Sequence, residues 1–160
     1  MKQLILLTLS ILLFPSCSPN ISDVYQDGLE AYNRKEYKTA FKKWEPLAIQ
    51  GNAQAQSNLG VRYVIGLGVT QDYKEAVKWF RLSAEQGEAE GQYNLGVMYA
   101  KGLGVVQNYV QAHKWFSIAG VNEYENGHKV RRITEKRMTP VQIIEAQVLA
   151  RKWMEKHGKE

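Results

Sequence analysis

One cysteine, Cys17, stands in 160 residues. A lone thiol excludes an intramolecular disulfide framework and a multi-thiolate metal site. Its place beside an N-terminal apolar segment also removes it as a catalytic nucleophile. Histidine is scarce as well. His113, His128 and His157 are far apart, and none has metal-ligand spacing to another histidine or to the cysteine. No Gly-x-Ser-x-Gly elbow occurs. The turns Gly66-Leu67-Gly68 and Gly102-Leu103-Gly104 look superficially like phosphate loops, but they follow helical patterns and no Lys-Ser/Thr comes after them. The residues therefore point away from an enzyme, and no metal, cofactor or small-molecule substrate is expected.

Long apolar runs are also missing. The run at 4–14, LILLTLSILLF, has eleven residues, well short of the about 20 that a spanning helix needs. With the basic start Met1-Lys2 it has the form of a signal-peptide core, so 1–16 is expected to be a signal peptide. Phe14-Pro15-Ser16-Cys17 resembles a lipobox, with a small residue before the cysteine and an apolar one three before it. Lipidation at Cys17 is the expectation, with 17–21 as a short linker. The other reading is an ordinary cleaved signal with an incidental cysteine, which Pro19 disfavours by hindering cleavage after Ser18. Under Gram-negative sorting rules Ser18 would direct the lipoprotein to the outer membrane. The chain is thus expected to be exported to the periplasm and anchored to the outer membrane through Cys17.

Charge of one sign is lacking over most of the chain. Residues 17–127 carry eleven basic and twelve acidic side chains, whereas 128–160 carry nine and four. The surplus of positive charge is a C-terminal feature, which argues against nucleic acid as a partner of the rest.

What is present is a repeat. A 36-residue block runs over 53–88 and again over 89–124, with 17 positions identical. Shared residues include Gln56/Gln92, Asn58/Asn94, Leu59/Leu95, Gly60/Gly96, Tyr63/Tyr99, Trp79/Trp115 and Phe80/Phe116. A period of this length marks a solenoid, whose units bury their apolar faces against neighbours. Each unit reads as helix, loop, helix. Asn52 caps a first helix over 53–64, in which Ala55, Leu59 and Tyr63 recur every four residues. The glycine turn breaks it, and Asp72 with Glu75, or Asn108 with Gln111, starts the second helix. Gly60, Gly96, Ala76 and Ala112 allow close helix approach, and Trp79, Trp115, Tyr73 and Tyr109 are expected in the core.

A divergent helix pair is expected over 22–51, with a turn five residues shorter than in the later copies. An end unit packs on one side only. Beyond Gly120 the pattern changes. A basic helix over 123–137, weakened by Gly127, should precede a strong helix start at Thr139-Pro140-Val141-Gln142. Ile143, Ala146, Ala150, Trp153 and Met154 would share one face of that last helix, which should run to about Lys156 and dock over the end of the stack. The segment 125–160 is read as basic capping helices.

These residues resemble the Sel-1-like repeat, a relative of the tetratricopeptide repeat, over 22–157. The pattern is Ala-x-x-Gln-x-Asn-Leu-Gly-x-x-Tyr, Gly-x-Gly-Val, (Asp/Asn)-Tyr-x-x-Ala and an aromatic, then Ala-x-x-Gly. The second copy departs at Gly120 and Val121, where Ala and a polar residue are typical. The resemblance implies an all-α, right-handed α/α solenoid with a C-terminal capping helix, acting as an adaptor or scaffold that often serves in the bacterial envelope. It implies no reaction.

Asn58 and Asn94 sit in mid-helix, where asparagine is a mediocre helix former. They either line a groove and bond the backbone of a bound peptide, or are buried amides that satisfy a loop carbonyl. In the groove reading the first helices line the concave side, and Val61, Arg62, Val97 and Met98 join the asparagines as partner-binding residues. Three units make a short groove, which a homodimer would lengthen. His113 is expected to be a partly exposed helix residue. The expected function is a non-enzymatic protein-interaction module of the cell envelope, taking an unidentified protein or peptide on the concave face. The alternative is a membrane-surface or structural protein that uses Arg131, Arg132, Lys136, Arg137, Arg151, Lys152 and Lys156 against anionic headgroups.

Overall fold

The structure is a computed structural model describing residues 20–158. Residues 1–16, expected to be a signal peptide, and Cys17 lie outside the described residues. Eight helices follow one another: α1 Ile21–Asn33, α2 Tyr37–Ile49, α3 Ala53–Ile65, α4 Tyr73–Glu85, α5 Ala89–Lys101, α6 Tyr109–Val121, α7 Gly127–Glu135 and α8 Pro140–Lys156. Consecutive helices pack in turn from α1 to α7, and α3 also touches α5. The first helices of the two full repeats thus touch each other directly, which the second helices, α4 and α6, do not to the same extent.

The helix starts are set by side-chain oxygens that accept otherwise orphaned backbone N–H groups. Asn52 accepts from Ala55, Asp72 from Lys74 and Glu75, and Asn108 from Gln111. Thr139 and Gln142 form a complete capping box on α8. At the other end Gly66 and Gly102 stop α3 and α5 in the left-handed conformation. Gln71 and Gln107 then close the loops by donating to the carbonyls of Val64 and Ala100. In the shorter turn of the first unit Lys35 takes the left-handed conformation instead.

Within each unit the two helices touch at a glycine. A Cβ on Gly60 would lie 2.5 Å from the Phe80 ring, and one on Gly96 would lie 2.7 Å from Phe116. Gly28 meets Trp44 in the same way, so the divergent first pair obeys the same rule. Between units a buried glutamine makes the link. Gln56 donates to the Ala48 carbonyl and accepts from Gln86, while Gln92 donates to Ala84 and accepts from Asn122. Trp115 and Phe116 are buried, whereas Trp79, Tyr73 and Tyr109 are only half-buried.

The C-terminal segment departs from expectation at its start. The helix expected over 123–137 begins only at Gly127, because Glu123 turns the chain through the left-handed region and Tyr124 bonds back to the Ala119 carbonyl. Gly127 is no weak point. Its Cβ would lie 2.6 Å from the Gly120 nitrogen, so the two glycines let α7 settle on α6. This explains the departure at Gly120. Moreover α8 does not pair with α7. It folds back along α6, with Ala146, Ala150 and Trp153 buried and the Trp153 indole donating to Glu85 of α4.

Gly96→Ala should destabilise the protein by about 1–3 kcal/mol through overpacking, outweighing the about 1 kcal/mol that alanine gains over glycine in a helix. Urea unfolding measures it. Combining Gly96→Ala with Phe116→Leu should return part of the loss, which a mere propensity effect would not.

Candidate functional site

The first helices α3 and α5 lie side by side, and the six residues expected on them divide into two groups. Val61, Asn94, Val97 and Met98 surround one cavity of 140 Å³ between α3 and α5, together with Phe80 and Leu103. Val61 and Val97 are half-buried. Asn94 is also half-buried, and its amide makes no side-chain hydrogen bond among the described residues. Asn58 and Arg62 turn the other way, toward α1. The Asn58 amide donates to the Tyr25 hydroxyl at 3.0 Å. The Arg62 guanidinium lies 4.4 Å over the Tyr32 ring.

Two of the six are not surface residues. Met98 is 2% exposed and belongs to the core, and Arg62 is 4% exposed. Nε and Nη1 of Arg62 are buried with no hydrogen-bond partner among the described residues, and the group is supported by the Tyr32 ring and by the charge of Glu90. Asn58 bonds a tyrosine, which is neither the loop carbonyl nor the open groove considered from sequence. The 36-residue register hides this difference, because α3 faces aromatic residues of the divergent first unit whereas α5 faces a true repeat.

Sequence reasoning passed over Tyr25, Tyr32 and Glu90. Burial raises the Tyr25 hydroxyl above its ordinary value against the lowering effect of the Asn58 bond. Burial, and then the charge of Glu88, raise the Glu90 carboxyl, and Arg62 opposes them. A signal for Glu90 was present, since the first repeat has neutral Gln54 at that place.

His113 corrects an expectation. It is fully buried, not partly exposed, because α7 covers it. Its Nε2 lies 2.9 Å from Glu135 of α7, and its Nδ1 lies 3.4 Å from the Ser117 hydroxyl. The connectivity is that of a serine–histidine–carboxylate relay, but the chemistry is not. The Ser117 hydroxyl donates to the His113 carbonyl at 2.8 Å, which leaves no proton directed at the ring. The group is a tie between α6 and α7. His157 stacks on Trp153 at 3.9 Å, far from it in the chain. Among the described residues no three His, Cys, Asp or Glu side chains gather where they could hold a metal, and no helix is long and apolar enough to cross a membrane.

Two comparisons agree with this architecture. The model of the Sel1 repeat matches residues 53–88 and 89–120, so the second match ends at the glycine that seats α7. The crystal structure of a protective antigen present in uropathogenic Escherichia coli strains, which displays an SLR fold, is 35% identical with a TM-score of 0.82 over 86% of this chain. That of a Sel1 repeat protein from Oxalobacter formigenes is 36% identical with a TM-score of 0.62 over 66%. This chain spans 30% and 42% of the lengths of those two proteins. No curated protein matches its sequence. With two matched repeats, three successive helix pairs among the described residues and a close structural likeness over most of its length, the chain is a Sel1 repeat protein with the SLR fold.

Proposed function

We propose that this protein is a non-enzymatic adaptor of the bacterial cell envelope that takes a peptide or protein segment on the α3–α5 face. Sel1-repeat solenoids are typically protein-interaction modules. The observation that carries the reading is the Asn94 amide, uncommitted beside an apolar cavity. An apolar side chain seated between Val61 and Val97 would bring the backbone of an extended segment within reach of both its donor and its acceptor. Export and a lipid anchor at Cys17 complete the proposal, and the likeness to a protective antigen is consistent with them.

A second reading has its own observation. Val141, Ile144 and Val148 form an exposed apolar stripe on α8, at 74%, 60% and 40% exposure. Arg151 and Lys152 follow it. A stripe of this kind, in the segment that holds the surplus positive charge, suits an anionic membrane surface.

In-cell crosslinking and affinity capture should recover an envelope partner that is lost in Asn94→Ala at unchanged helicity; a partner retained by that variant sinks the α3–α5 reading. Asn58→Ala is the poorer probe, because losing the Tyr25 bond should itself cost about 0.5–1.5 kcal/mol. On the membrane reading, the protein should bind liposomes containing phosphatidylserine, and the binding should fall with salt and vanish in Arg151→Gln/Lys152→Gln.

The raised Glu90 carboxyl fixes the sign of a pH effect. The folded state binds this proton more tightly than the unfolded state, so stability from this group is present at low pH and is lost as pH rises through the raised value. Glu90→Gln should therefore raise the urea midpoint at pH 7, and the gain should shrink as pH falls toward the ordinary carboxylate range.

A further inference from the structure

The two repeats share a framework but carry opposite charge at one place. Around Tyr63 the first copy gathers Glu45, Asp72, Glu75 and Lys78, and Lys78 is paired to Glu75. One repeat further on, the same places around Tyr99 are taken by Arg81, Asn108, Gln111 and Lys114. Every carboxylate of the first set has become neutral or cationic, while the lysine and the tyrosine are kept. The consequence is direct: Lys114 has lost the partner that Lys78 has.

The geometry around Lys114 is that of a cleft. These side chains line an opening of 640 Å³ between α4, α5, α6 and the loop before α6, and it shares no lining residue with the cavity beside Asn94. Lys114 Nζ lies 4.1 Å over the Trp115 ring and makes no ion pair among the described residues. Burial depresses its pKa and the nearby Arg81 depresses it further, against the opposing charge of Glu85. Arg81 donates to the Tyr99 hydroxyl at 3.0 Å, a neutral acceptor that leaves its charge uncompensated. Glu85 is the one carboxylate in the cleft, and it is engaged from α8 by the Trp153 indole at 2.9 Å, with His157 at 3.8 Å. Val106, 87% exposed, stands at the rim.

A half-buried Lys114 and an exposed Arg81, neither in an ion pair among the described residues, favour an anion. A polyanion is disfavoured, since Glu85 would repel charge beyond the first. An apolar rim residue favours an occupant with a side chain to lay on it. We propose that this cleft binds an acidic peptide segment, with one of its carboxylates between Arg81 and Lys114 and a neighbouring apolar side chain on Val106. The site is distinct from the α3–α5 face and does not depend on that face binding anything.

A random heptapeptide phage library panned on the purified full chain tests this. Recovered peptides should be enriched in Asp or Glu, and synthetic copies should bind about tenfold more weakly once that residue is exchanged for its amide. Lys114→Gln and Arg81→Gln should each weaken binding comparably, while Asn94→Ala should leave it unchanged. Gln111→Glu is the sharper variant. It restores the pairing seen between Lys78 and Glu75 without removing either cation, and it should abolish binding in a protein of unaltered circular dichroism. Peptides without acidic enrichment, peptides that bind equally to Gln111→Glu, or a library that yields no binder would each overturn the proposal. Loss of binding in Asn94→Ala alone would place the site on α3–α5 instead. Displacement by inorganic phosphate at lower concentration than by acetate would overturn the assignment to a carboxylate.

Discussion

Everything in this fold depends on two helices coming closer than a methyl group allows. Gly28 on Trp44, Gly60 on Phe80 and Gly96 on Phe116 set that distance in three successive units. An aromatic ring set against bare helix backbone fixes the separation of the pair, because any Cβ at the contact would enter the ring. With the pair fixed, the remaining apolar positions of each unit face the next one. The stack then grows by the same step, with Gln56 and Gln92 bonding across the seam. The end of the stack uses the same device in a stricter form. Gly120 and Gly127 bring α6 and α7 together backbone to backbone, and Glu135 reaches over to the buried His113.

Holding the framework constant frees the surface to differ. The tyrosine and lysine of the second helix's cleft are retained in both copies, yet the first copy is acidic there and the second is cationic. The α3–α5 face differs in another way. The two asparagines occupy the same register, but Asn58 is taken up by Tyr25 of the divergent first unit and Asn94 stands beside a cavity. Units that share a framework thus still present different surfaces, because each surface is made by a unit and its neighbour, and the neighbours differ. This is the physical basis on which so short a stack can act as a specific binding module.

Much of the architecture was legible in the chain. The period, the glycine turns, the N-cap residues and the Thr139–Gln142 box all report local conformation, and local conformation is what a few consecutive residues control. The candidate site was less legible. Arg62 read as a groove residue because it lies one turn on from Asn58, and its burial against the ring of Tyr32, from another unit, is a contact that no single helix encodes. His113 read as half-exposed because nothing in α6 itself covers it. The cleft around Lys114 was written plainly in the register, as an aligned exchange of Glu45, Asp72 and Glu75 for Arg81, Asn108 and Gln111. Attention to what the repeats share passed over it, since the signal lay in how they differ.

The sequence by itself determined the helical pairs, their boundaries and their repeat, because caps, glycines and apolar periodicity act within a turn or two of the chain. The tertiary structure alone decided three further things: that α8 folds back on α6 instead of pairing with α7, that Asn58 and Asn94 are inequivalent, and that Arg81, Tyr99, Val106 and Lys114 meet around one cleft. Each of these depends on side chains from helices distant in the chain meeting at one place. Burial and charge compensation are properties of that meeting and not of any segment read alone.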